Sequence, residues 1–139
     1  MNDKMKNNGL GAVPEIYSAI CISFNEDAAI DLIIEELNAA EIGMIKMRKP
    51  KFEASVVLEL AIVYYERFWE LDEALTKMFG QVAGRLEQLK NIANKYRGKM
   101  YIDIAFYQYG TYPALIFCGE NMEKIRFLEA DISIDPYSM

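Results

Sequence analysis

Two carboxylates raise the question of chemistry in this chain. Glu59 and Asp103 each lie in a stretch of alternating polarity, on the residue parity that looks away from the predicted core. On strands flanking a common neighbour they stand roughly 10 Å apart, given strand spacings near ~4.8 Å. A hydrolase built on two carboxylates can use such a separation. The ordinary fate of Asp and Glu on a sheet is to be solvated surface charges, and that is the alternative reading of this pair. The rest of the catalytic inventory is bare. The sequence has 0 His, which removes the Ser-His and Cys-His nucleophile systems and every His-based metal site. Cys21 and Cys118 have no paired base and fall in predicted strands, so they read as reduced packing residues, with a disulfide as the other option. The GLG run ending at Gly11 precedes the first predicted strand and opens no helix, so it is no phosphate loop. Neither NEDAAID nor EADISID has the central Gly and closing Glu of a calcium loop. No cofactor or metal is expected.

The elements that must position these residues begin with the central stretch from Ala54 to Phe68. Ala54, Val56, Leu58, Leu60, Ile62, Tyr64 and Phe68 fall on one parity, and Ser55, Val57, Glu59, Ala61, Val63, Tyr65 and Arg67 on the other. That is the period of a strand with one apolar face. Ahead of it, Ile16 to Phe24 alternates Ile16, Ile20, Ile22 and Phe24 with Tyr17, Ala19, Cys21 and Ser23. Asn25 is the predicted cap of a helix whose Ile30, Ile33, Ile34 and Leu37 form one stripe. A short strand, Ile42 to Met47, leads through the basic loop RKPKFE into the central strand. A long amphipathic helix is predicted from Leu71 to Tyr96 and ended by Gly98, with a break near Gly80 as its rival. Lys99 to Tyr109 alternates again, Met100, Ile102, Ile104 and Phe106 against Tyr101, Asp103, Ala105, Tyr107 and Tyr109. Ala114 to Cys118 reads as a short apolar strand, Asn121 as the cap of a last helix, and Asp131 to Asp135 as a final strand stopped by Pro136.

This order predicts an α+β fold: a ferredoxin-like split β-α-β core extended by a third β-α-β unit, as a mostly antiparallel sheet with helices on one face. With 139 residues, 53% of them apolar, the chain has enough for one hydrophobic core. Residues 1–14, rich in Asn, Lys and Gly, are expected to be a mobile N-terminal arm, and 15–139 a single domain. The opening residues contain no apolar run of signal-peptide length, and no later run reaches membrane-span length, which predicts a cytoplasmic protein.

Three features carry a family resemblance: the start YSAICISFNEDAAIDLIIEEL, the tail PALIFCGENMEKIRFLEADISIDPY and the long helical region between them. On these the chain resembles the bacterial domain of unknown function family forty-two seventy-nine. It departs from that pattern in the loop MRKPKFE. The resemblance implies a fold and a bacterial cytoplasmic setting, and no activity.

If the parities hold, the sheet face without helices displays Tyr17, Val57, Glu59, Val63, Tyr65, Tyr101, Asp103, Tyr107 and Tyr109. Rigid rings with hydratable hydroxyls suit protein interfaces. The net charge of −6 argues against nucleic acid or an anionic membrane as partner and favours a basic one. The candidate binding residues are therefore Tyr17, Glu59, Tyr65, Tyr101, Asp103 and Tyr107, and the expected occupant is a protein partner or a second copy in a homodimer. The leading expectation is a non-enzymatic binding protein, in its sharpest form an immunity-type protein occupying a basic site. The alternative is a small-molecule-binding protein or a carboxylate-based hydrolase subunit using Glu59 and Asp103.

Overall fold

Five of the predicted strands form, and the three central ones pair side by side with an apolar parity buried in a common core. The computed structural model describes residues 12–43 and 45–138. Its strands are β1 (Ala12–Asn25), β2 (Ile45–Arg48), β3 (Ser55–Arg67), β4 (Lys99–Tyr109) and β5 (Asp131–Ser138). Its helices are α1 (Ile30–Ala39), α2 (Leu71–Gly80), α3 (Leu86–Lys95) and α4 (Gly119–Leu128). The fold is α+β, with a sheet ordered β2-β3-β1-β4-β5. The pairs β2–β3, β3–β1 and β1–β4 are antiparallel and β4–β5 is parallel. The sheet is thus mixed rather than mostly antiparallel, because α4 crosses over between β4 and the edge strand β5.

One face of the sheet is packed under the helices. Ile16, Ile20, Ile22 and Phe24 of β1 and Met100, Ile102, Ile104 and Phe106 of β4 meet Ile33 and Leu37 of α1, Leu71, Leu75 and Met78 of α2, Leu89 of α3 and Ile125 of α4. Each such side chain, fully buried, contributes roughly 1.5–3 kcal/mol. The parities predicted for β1 and β4 hold throughout.

In β3 they do not. Its register against β1 slips between Ile16 and Ser18 and again between Ser18 and Ile20. Each slip admits one extra residue, and a left-handed residue sits at each, Ala61 with φ 52° and Tyr65 with φ 49°. The first bulge reverses the alternation and the second restores it. Val63, expected on the open face, therefore joins the helix-covered core, while Ile62 packs on the opposite side.

Other boundaries shift for local reasons. β1 begins at Ala12, so three residues expected in the arm, Ala12 to Pro14, pair or extend the sheet, and residues 1–11 lie outside the described residues. Asn25 ends β1 rather than capping α1, whose first flanking residue is Ala29. The long helix is two, interrupted at Gln81–Arg85 where Gly84 takes φ +77°. Ala114 to Cys118 is no strand: Ala114 makes only an isolated parallel bridge to Glu70, and Cys118, not Asn121, caps α4 by accepting from the Asn121 amide. Pro136 does not stop β5 but pairs with Phe106 inside it. Gly98 does more than end a helix. A Cβ there would lie 2.5 Å from both Ile22 Cγ2 and Phe24 Cε1, so the backbone must pass bare against β1.

Candidate functional site

The open face owes its shape to residue size. On β1 and β4 it carries Ala19, Cys21 and Ala105, small side chains that form a buried floor with Val57. Larger residues rise around that floor. Tyr17 comes from β1, Glu59 and Tyr65 from β3, Asp103 from β4, Asp135 and Tyr137 from β5, and Lys46 from β2. Together they line a cleft of about 290 Å³.

The tyrosines form a continuous row. Ring centroids are 6.1 Å apart for Tyr17 and Tyr64, 5.4 Å for Tyr17 and Tyr65, and 4.9 Å for Tyr64 and Tyr65. The row continues through Tyr65 and Tyr107 at 5.1 Å to Tyr107 and Tyr137 at 5.2 Å. Edge and tilted contacts of this kind stabilise by about 0.5–1.5 kcal/mol per pair beyond area burial. They also hold each ring in place, so the row is a preformed surface.

Beneath the row runs a polar chain. The Tyr17 hydroxyl donates to Glu59 Oε1. Arg48 donates from Nε to Glu59 Oε2 at 2.7 Å and from Nη2 to the Tyr101 hydroxyl at 2.9 Å. Glu59 is only 4% exposed, so it is a buried, paired carboxylate and not a solvated one. Burial pushes the Tyr17 phenol well up, reinforced by its bond to Glu59. Burial would lower the Arg48 guanidinium, yet its bonds to Glu59 and Tyr101 raise it overall and keep it charged. The Cys21 thiol is pushed up to about 12, by burial first and then by the nearby charges of Asp103 and Glu59. It is therefore no nucleophile at neutral pH.

Asp103 is placed differently. Its carboxyl is raised above the ordinary range by burial first, then by Asp135 and Glu59, with Arg48 opposing. Asp135 lies two residues along the parallel ladder, since Asp103 pairs with Ser133 and Ala105 with Asp135.

No family model, curated protein or solved structure matches this chain. Among the described residues no group of three or more His, Cys, Asp or Glu could hold a metal ion. No helix of the described residues is long and apolar enough to cross a membrane.

Of the residues singled out from sequence, Tyr17, Glu59, Tyr65 and Asp103 line the cleft together. Tyr101 lies behind it on Arg48, Tyr107 extends the ring row, and Tyr109 is drawn to the strand end, where its hydroxyl donates to Glu15 and its ring lies 5.3 Å from Arg67 Cζ. Sequence reasoning missed five residues, one of them Lys46 on the short edge strand β2. Tyr64 was on the wrong parity for want of the bulges. Arg48 was read as part of a basic loop. Asp135 and Tyr137 sit on a strand whose neighbour could not be known. The available signal was the run of small residues Ala19, Cys21 and Ala105, which marks a hollow wherever large residues surround it. A larger opening of about 470 Å³ lies on the helical side, bounded by Leu86 and Glu87 of α3 and by Glu120, Lys124 and Phe127 of α4, and brings none of these residues together.

Proposed function

We propose that this protein is a binding module whose open sheet face receives a basic protein partner. The supporting observation is the row of five tyrosine rings, from Tyr64 through Tyr17, Tyr65 and Tyr107 to Tyr137, laid beside Glu59, Asp103 and Asp135. Tyrosine-rich surfaces give large contact area with little rotamer entropy to lose, and acids without an ion pair, here Asp103 and Asp135, select a positive partner. The net charge of −6 adds attraction at long range. An immunity-type role, in which the face blocks a basic site on a toxin, is the most specific form of this reading, set in a bacterial cytoplasm. The kinship with domain of unknown function family forty-two seventy-nine is part of the same proposal. So is the ferredoxin-like reading of the sheet, in which α1 and the α2–α3 pair each join strands of a split β-α-β core and α4 with β5 adds a third unit.

A hydrolase based on Glu59 and Asp103 is the weaker reading. Glu59 is buried, bonded by Tyr17 at one oxygen and paired with Arg48 at the other, which stabilises the carboxylate anion and weakens it as a base toward a substrate proton. The test is light scattering after size exclusion on wild type and Tyr65→Ala/Tyr107→Ala, alone and mixed with a recombinant basic partner found by affinity capture. A monomeric wild type that forms a complex, and a folded double variant that does not, is the expected result. A complex that survives the double substitution overturns the reading.

A further inference from the structure

We infer that the cleft between Tyr17, Tyr65 and Tyr137 is a subsite for one guanidinium group, the side chain of an arginine on the partner. The inference rests on the partner reading above and specifies its centre.

Charge complementarity is the first argument. Glu59 is satisfied internally by Arg48 and Tyr17. Asp103 and Asp135 make no hydrogen bond or ion pair among the described residues. Lys46 lines the same cleft but forms no ion pair with either acid among the described residues, so two carboxylates on neighbouring strands share the cleft with no cation bonded to them. Like charges so placed repel, and a cation between them relieves that repulsion.

Shape is the second. Tyr17, Tyr64, Tyr65 and Tyr137 line the cleft together with Ala105, so aromatic and apolar surface stands beside its acids. A guanidinium is planar, stacks on aromatic faces, is weakly hydrated and offers a donor fork to carboxylates; an ammonium does none of the stacking and is strongly hydrated. Volume is the third. About 290 Å³ lies at the lower edge of ligand pockets, roughly 300–1,000 Å³, which suits one side chain and not a cofactor. A second copy of this chain is disfavoured as occupant, because both copies carry the same net charge of −6.

The test uses N-acetyl-arginine amide as probe, with the citrulline amide as its neutral isostere and the lysine amide as a second cation. Ring and backbone resonances of the full chain are followed by NMR. Saturable shifts at Tyr17, Tyr65 and Tyr137 with the arginine probe, weaker ones with lysine and none with citrulline are expected. Asp103→Asn/Asp135→Asn, which keeps side-chain size and removes charge, is expected to weaken the arginine probe by about tenfold or more. No saturable shift, equal response to citrulline, or unchanged affinity in the double variant overturns the inference. Shifts of the same rings on raising protein concentration without probe would make a second copy the occupant and overturn it too. A probe that fails while the Tyr65- and Tyr107-dependent partner complex forms removes only this subsite; a complex that survives Tyr65→Ala/Tyr107→Ala while the probe still binds removes the partner reading instead.

Discussion

The Tyr17 hydroxyl donates to Glu59 from the adjacent strand, across a stretch of β1 where Ala19 leaves the space open. That bond, with Arg48 on the other carboxylate oxygen, is why an acid can sit 4% exposed on a sheet face. Tyr17→Phe removes a donor to a charged acceptor and is expected to destabilise by about 1.5–3 kcal/mol. In a Glu59→Gln background the same substitution should lose much less. Urea unfolding of the two single variants and the double gives the coupling directly, and additive effects would show that the two groups do not act together.

Asp103 predicts a pH dependence. Its folded-state carboxyl is raised, by burial first and by Asp135 next, so the folded chain holds the proton more tightly than the unfolded one. The contribution to stability is then fully present below the ordinary aspartate value near ~3.9 and is lost as pH rises through the raised folded value. Asp103→Asn removes that loss. The variant is expected to melt at a higher temperature than wild type at pH 7, and the gap should close in mildly acidic buffer. A gap that is the same at both pH values would place its cause elsewhere.

Two residues at the end of α3 respond oppositely to substitution. Gly98→Ala drives a methyl against Ile22 and Phe24, both in the core, and is expected to destabilise by about 1–3 kcal/mol. Arg97, exposed and at φ 59°, holds the left-handed position that closes the helix, with its amide bonded to Asn94 O and that of Gly98 to Ala93 O. Arg97→Gly relieves the Cβ strain and should stabilise by up to about 1 kcal/mol. Calorimetric melting of both variants distinguishes a steric demand from a conformational one.

Cys21 is buried on the floor of the open face, its thiol pushed up to about 12. Iodoacetamide at neutral pH is expected to leave Cys21 unmodified in the native chain, and mass spectrometry should find it alkylated only after denaturation. Native-state labelling at Cys21 would mean that the sheet opens locally far more often than its packing implies.

How much could be read from sequence follows the range of the interaction involved. The alternation of Ile16 to Phe24 and of Met100 to Phe106 is a local property, and it assigned both faces of β1 and β4 correctly, bringing Tyr17 and Asp103 to one surface. The stripe Ile30, Ile33, Ile34 and Leu37 likewise gave α1, though not its cap. The break between α2 and α3 was legible as an alternative in the glycines, since Gly84 supplies the positive φ needed there. The bulges at Ala61 and Tyr65 left no mark, because neither is the glycine that usually signals a left-handed residue; the chain accepts that strain to keep β3 in register with β1 on both sides of the slip.

The sequence by itself determined the composition of each face: which residues are apolar, which are small, and that tyrosines and acids share one parity. Those depend on a period of two along a single strand. Only the tertiary structure decided that Arg48 reaches Glu59 and Tyr101, that β5 joins parallel to β4, and that Asp135 and Tyr137 thereby complete the cleft over Ala105. Those contacts join residues far apart in the chain, and their free energy exists only once the intervening loops have closed.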